Sequence, residues 1–169
     1  MHVASGVLQI LSANFTRPSD TTAYASGDLA ANSTTAGSVV SMAFAMQSLS
    51  GCAFSVQRAR VKKSGTSTTN ASFRLHLFTV DPVSLSSGIA NGDNGAFSTK
   101  GVAGYLGAFD VTVGQAFVDG AGGVGAPNNG TEVSGASVAL TIYGLLEVRG
   151  AYTPASAEVF TVELETVVH

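Results

Sequence analysis

Wherever apolar residues gather in this chain they alternate with a period of two, and almost nowhere with the period of a helix. From Val39 to Gln47, an extended backbone puts Val40, Met42, Phe44 and Met46 on one face and Ser41, Ala43 and Ala45 on the other. Comparable runs are Val7 to Phe15, Phe54 to Lys63, Ala71 to Val80, Tyr105 to Phe117, Val138 to Arg149 and Glu158 to Val168. Clusters of Gly, Ser, Asn and Pro separate them, which predicts an all-β chain of about eight strands. Short turns mixed with long crossings favour an antiparallel β-sandwich of jelly-roll (Greek-key) type. An immunoglobulin-like sandwich would show a Cys…Trp…Cys pattern, and the chain has one Cys and no Trp. Its 169 residues suit a single globular domain, with 1–20 as an N-terminal strand and arm and 21–169 as the sandwich. The polar stretch after Phe15 is expected to cross the surface or to add an edge strand near Thr22 to Tyr24. Asp119 to Gly130 reads as a flexible glycine-rich loop.

Two pairings follow from the turn signals. Phe54 to Lys63 and Ala71 to Val80 read as a hairpin joined by "SGTSTTN", with Arg60 opposite Arg74. One face would collect Ala59, Val61, Phe73, Leu75 and Leu77, and the other Arg58, Arg60, Lys62, Arg74 and His76. The last two strands face each other across "GAYTPAS", with Ile142, Leu146, Val148, Phe160, Val162 and Leu164 inward and Glu147, Glu163 and Glu165 outward. Alternation turns Tyr143 and Leu145 away from the core, which makes them candidate contacts between copies of the chain.

Charged residues make up only 11% of the sequence, against roughly 25% in an ordinary soluble domain. The surface is therefore Ser, Thr, Asn, Gly and Ala, which suits a chain covered by partners or by copies of itself. A formal charge of −3 argues against nucleic acid as a partner. No apolar run approaches the roughly 18 residues of a membrane span and Met1 to Phe15 lacks a charged export signal, so a soluble protein is expected. Cys52 has no disulfide partner and reads as a small buried residue.

Catalytic chemistry has little to work with. Of His2, His76 and His169, two are near the chain ends and His76 reads as an exposed strand residue, so no nucleophilic triad and no zinc site is expected. Asp93, Asp110, Glu147 and Glu163 could be paired on paper as glycosidase carboxylates, but read better as charged sheet surface. The expectation is no catalytic residue, no metal and no cofactor. In "ANGDNGAFSTKG", Ala90 to Gly101, the spacing of Asn91, Asp93 and Asn94 suggests the start of a calcium loop. The further acids and the closing Glu are missing, so the stretch reads as a turn. "RARVKK" holds Arg58, Arg60, Lys62 and Lys63, four of the eight basic residues. Two readings stay open for it: a cross-strand ladder with Glu163 and Glu165, or a docking patch of Arg58, Arg60, Lys62 and Arg74 for an acidic protein surface.

Read in order, "DTTAYASGDLAANSTTAG", "KSGTSTTNASFRLHLF", "NGDNGAFSTKGVAGYLGAFDV" and "RGAYTPAS" resemble the capsid decoration, or cement, proteins of tailed bacteriophages. The resemblance covers roughly Asp20 to the final strand. It implies a β-rich, non-enzymatic virion protein, made in the host cytoplasm and bound to the capsid exterior. Its implied partner is the major capsid protein, and its implied assembly is a homo-oligomer, a trimer on threefold positions. The alternative is a glycan- or receptor-binding module of a phage fibre. Against that stand the absence of Trp and the presence of only four Tyr, of which Tyr24, Tyr105 and Tyr152 lie near loops.

Overall fold

The computed structural model describes residues 6–47, 53–83, 91–98, 103–128, 133–136 and 141–169. Among them there are eleven strands, no α-helix and one short 3-10 turn, Ala36–Ser38. The strands are β1 (Val7–Thr16), β2 (Leu29–Ala30), β3 (Met42–Ala45), β4 (Ala53–Lys63), β5 (Ser72–Phe78), β6 (Tyr105–Thr112), β7 (Gln115–Phe117), β8 (Gly120–Pro127), β9 (Val133–Ala136), β10 (Thr141–Val148) and β11 (Val159–Val168). All pairings are antiparallel and join the strands into one sheet in the order β1-β11-β4-β8-β6-β5-β10-β2. β3 also pairs with β10, β7 with β8 and β9 with β4. The sheet curls into a half-barrel. Its inward side chains, among them Phe15, Phe44, Val61, Phe73, Phe109, Leu146 and Phe160, make one buried cluster.

The continuous sheet depends on β8, which pairs with β4 through Ala121–Gly125 and with β6 through Ala126 and Pro127. The whole of this strand lies within the stretch Asp119 to Gly130 that the sequence suggests is a loop, because glycine is poor strand material. Here glycine is required by close approach: a Cβ on Gly123 would lie 2.1 Å from the Thr112 carbonyl oxygen, and one on Gly125 2.2 Å from that of Asp110. The predicted strand from Tyr105 to Phe117 is broken at Val113 and Gly114, which separates β6 from β7.

The expected β4–β5 hairpin does not form. β4 lies between β11 and the pair β8 and β9, whereas β5 lies between β10 and β6. The connection after Lys63 crosses from one half of the sheet to the other, with Asn70 at φ 54 and the Ala71 amide donating to the Thr68 carbonyl. Val61 and Phe73 thus enter the same core from different halves of the sheet rather than side by side. Arg60 is opposite Glu163 and Val124, and Arg74 is opposite Asp110 and Glu147. β10 and β11 likewise belong to different halves, with Ile142, Leu146, Val148, Phe160, Val162 and Leu164 all buried as alternation requires.

A second, smaller core lies outside the β5–β10 pair. Leu29, Ala31, Val39, Phe78 and Leu145 are buried together, with Val83, Phe97 and Tyr143 packed on them. The long polar loop after β1 is therefore a cover. Tyr24, near which an edge strand was possible, sits in a non-strand stretch and is 2% exposed.

Candidate functional site

Among the described residues most charged side chains fall into four groups: two deep in the core, one on the outer surface, and one in which His76 and Glu147, the latter expected to face outward, are buried. In the first, the turn "NGDNG" supplies both a left-handed residue, Asn94 at φ 62, and a buried carboxylate, Asp93. Asp93 Oδ2 accepts from Arg17 Nη2 at 2.9 Å, and its Oδ1 accepts from the Tyr24 hydroxyl at 2.6 Å and the Ala31 amide at 2.8 Å. Arg17 reaches further, to the carbonyl and carboxylate of Asp20. Both oxygens of this carboxylate thus accept from donors of its own chain. Among the described residues no three His, Cys, Asp or Glu side chains gather as a metal site.

The second buried group joins Lys63, Tyr152 and Glu158. Lys63 Nζ donates to Glu158 Oε1 at 3.1 Å and to the Gly65 carbonyl at 2.7 Å, and the Tyr152 hydroxyl donates to the Glu158 carboxylate at 2.6 Å. Lys63, counted with the basic cluster in the sequence, points to the opposite side of β4 from Arg60 and Lys62. The rings of Tyr24 and Tyr152 stack at 6.4 Å, so the two buried groups touch through their tyrosines. Burial first, and then the carboxylate each one faces, pushes both hydroxyls well above their ordinary range and holds them as donors.

On the outer face of β4 and β11 lies the ladder. Arg60 contacts Glu165 at 2.9 Å, Lys62 contacts Glu163 at 2.5 Å and Arg58 stands 4.0 Å from Glu165. The Arg60–Glu165 and Lys62–Glu163 contacts are diagonal, whereas Arg58 and Glu165 are directly opposed in the register. Arg74, the fourth residue of the predicted patch, is on the other half of the sheet and makes a two-pronged contact with Asp110, at 2.6 and 2.9 Å. The four basic residues are therefore two separate groups. Exposed ladders contribute little to folding, so the double variant Arg58→Ala, Arg60→Ala is expected to lose only about 0.5–1 kcal/mol. A urea titration that puts the loss above about 2 kcal/mol would contradict a solvent-screened ladder.

The last group surrounds His76, which is buried rather than exposed. Its ring stacks on Phe97 at 4.3 Å, its Nε2 faces Glu147 Oε2 at 2.9 Å and its Nδ1 faces the Tyr105 hydroxyl at 3.2 Å. Arg149 holds the other oxygen of Glu147 at 2.8 Å. Burial is the largest influence on His76 and lowers its pKa from 6.5, with Glu147 acting in the opposite sense. A folded-state pKa below the unfolded one gives stability that is present above the unfolded pKa and is lost as pH falls through the folded one. Melting temperature is therefore expected to fall between pH 7 and pH 5, and His76→Gln should flatten that slope. A slope equal in wild type and variant would contradict it.

The two residues expected at an oligomer contact do turn away from the main core, yet the chain buries Leu145 and partly covers Tyr143. Leu145 is 3% exposed within the second core and Tyr143 packs on the same cluster. Large exposed apolar residues lie elsewhere: Val7, Leu8 and Ile10 on β1, and Phe117, Val118 and Val124 around the β7–β8 turn. Phe117 and Val124 line a groove of about 650 Å³ whose walls also include Lys62 and Gly122. Direct pairing makes rows across the outer face, Ile10–Glu165–Arg58 and Ser12–Glu163–Arg60–Val124. One face therefore carries a paired ladder with apolar residues on both flanks. The sequence reading missed those flanks because the glycines of β8 hid a strand.

No helix among the described residues is long and apolar enough to cross a membrane. Comparison of the chain with protein-family models, curated proteins and solved structures gave no match.

Proposed function

We propose that this chain is a virion structural protein that binds the outer surface of a phage capsid and stabilises it as a decoration protein. The major capsid protein is its partner and a homotrimer its working assembly. The observation that carries the reading, beside the sequence resemblance, is the outer face of β1, β11, β4 and β8. Its charges are already paired, so they bring little uncompensated charge to an interface, and the flanking Leu8, Ile10, Phe117 and Val124 supply apolar area to bury. A face spread over four strands suits a large protein surface better than a small ligand. Many weak contacts repeated over a shell suffice for firm attachment. The strand order supports a jelly-roll reading: β1-β11-β4-β8 and β2/β3-β10-β5-β6 are two four-stranded halves, each combining early and late strands of the chain.

The alternative, a glycan-binding module, draws less support. Tyr24 and Tyr152, two of its three candidate sugar platforms, are buried beneath the surface, and only Tyr105 is exposed. Heating undecorated heads with and without the protein tests the proposal, and the temperature at which the heads open should rise on addition. Heads that bind the protein yet open at an unchanged temperature would remove the stabilising role. Phe117→Ser should weaken attachment more than Arg74→Ala, since Arg74 lies on the other half of the sheet.

A further inference from the structure

Among the described residues the half-barrel stops short of closing between β1 and β3. β1 pairs with β11 along one edge and has no ladder partner along the other among the described residues. A groove of about 530 Å³ runs beside it, walled by Val7–Ser12 on one side and by Ala43, Ala45 and Gln47 on the other. Across this seam Gln9 Nε2 donates to the Gln47 carbonyl at 2.6 Å and Gln9 Oε1 accepts from the Gln47 amide at 3.0 Å. One side-chain amide thus makes the pair of bonds that a residue of a neighbouring strand makes in a ladder. The Gln47 backbone is thereby satisfied within the chain, and among the described residues the outer backbone edge of β1 is left without a ladder partner.

Free edges in monomeric proteins are guarded by lysine, proline, bulges or shortness. β1 has none of these: "VLQILSANFT" is ten residues long, contains no charge and no proline, and keeps an unbroken register with β11. Val7, Leu8 and Ile10 are each more than half exposed on it. We propose that β1 pairs edge to edge with β1 of a second copy of this chain, antiparallel and about a twofold axis. The segment is its own match, since an uncharged strand meeting its copy brings no like charges together. An isologous contact of this kind needs no other partner. A register centred on Gln9 sets Leu8 against the partner's Ile10 on the outer face and Val7 against the partner's Leu11 on the inner one. A twofold contact cannot close a threefold ring, so in a trimeric assembly it would join copies of neighbouring trimers. The inference does not depend on the capsid reading.

Sedimentation velocity of the purified full chain, over micromolar to millimolar concentration, tests it in the absence of heads. The expected result is association in which β1 takes part, with Ile10→Lys and Leu8→Lys each weakening that step about tenfold or more by opposing lysines across the axis. Val124→Lys, away from the edge, should leave the step unchanged. Hydrogen exchange provides a readout on the unmodified chain: amides of β1 should exchange more slowly in concentrated than in dilute protein. A single-chain mass throughout, or association that both β1 lysine variants leave intact, would overturn the proposal, as would concentration-independent exchange in β1.

Discussion

Asp93→Ala is expected to lower the melting temperature by about 6–20 °C, the consequence of losing about 3–5 kcal/mol when one partner of a buried ion pair is removed. The side chains of Arg17 and Asp93 are both fully buried. Alanine leaves a guanidinium, a tyrosine hydroxyl and the Ala31 amide without the acceptor they share. Asp20 still holds Arg17 but is partly exposed and cannot replace two inward-facing oxygens. The effect is thus far larger than the loss of a turn residue, which is what "NGDNG" alone would suggest. The double variant Arg17→Met, Asp93→Leu should lose less than Asp93→Ala, because no unpaired buried charge remains. A melting curve for Asp93→Ala within about 2 °C of wild type would contradict the buried pair.

Glu158→Ala should be of similar size, again about 3–5 kcal/mol. Lys63 is buried to the same extent and would be left with only the Gly65 carbonyl, and Tyr152 would lose its acceptor. Lys63 Nζ also stands 5.0 Å from the centre of the Tyr152 ring, a contact too weak to offset a lost carboxylate. The stacking of Tyr24 on Tyr152 adds a distinguishing expectation: Tyr24→Phe and Tyr152→Phe should be non-additive by at least about 0.5 kcal/mol in a double-mutant cycle of urea titrations. Strict additivity would mean the two buried groups act independently.

Strand positions were legible because alternation is a local property. The runs Val7 to Phe15, Phe54 to Lys63 and Glu158 to Val168 fall within a residue of β1, β4 and β11 at each end. Most of the pairing was not legible, since no turn signal distinguishes a hairpin, as expected for β4 and β5, from a crossing between halves. β8 was missed for a specific reason: glycine's low strand preference is overridden where Thr112 and Asp110 carbonyls leave no space for a side chain. Arg17 and Asp93 are 76 positions apart, and neither carries a local mark of burial. The surface ladder was visible as a possibility because "RARVKK" alternates in step with Glu163 and Glu165. Its apolar flanks depended on β8 and were not.

The central claim is attachment to a capsid, and co-sedimentation of the purified protein with undecorated heads tests it most directly. The account predicts saturable pelleting with heads, a fixed number of copies per shell, reduced affinity for Phe117→Ser and no retention on a glycan array. Protein that stays in the supernatant at every concentration of heads, or that is held by a defined glycan instead, would contradict it.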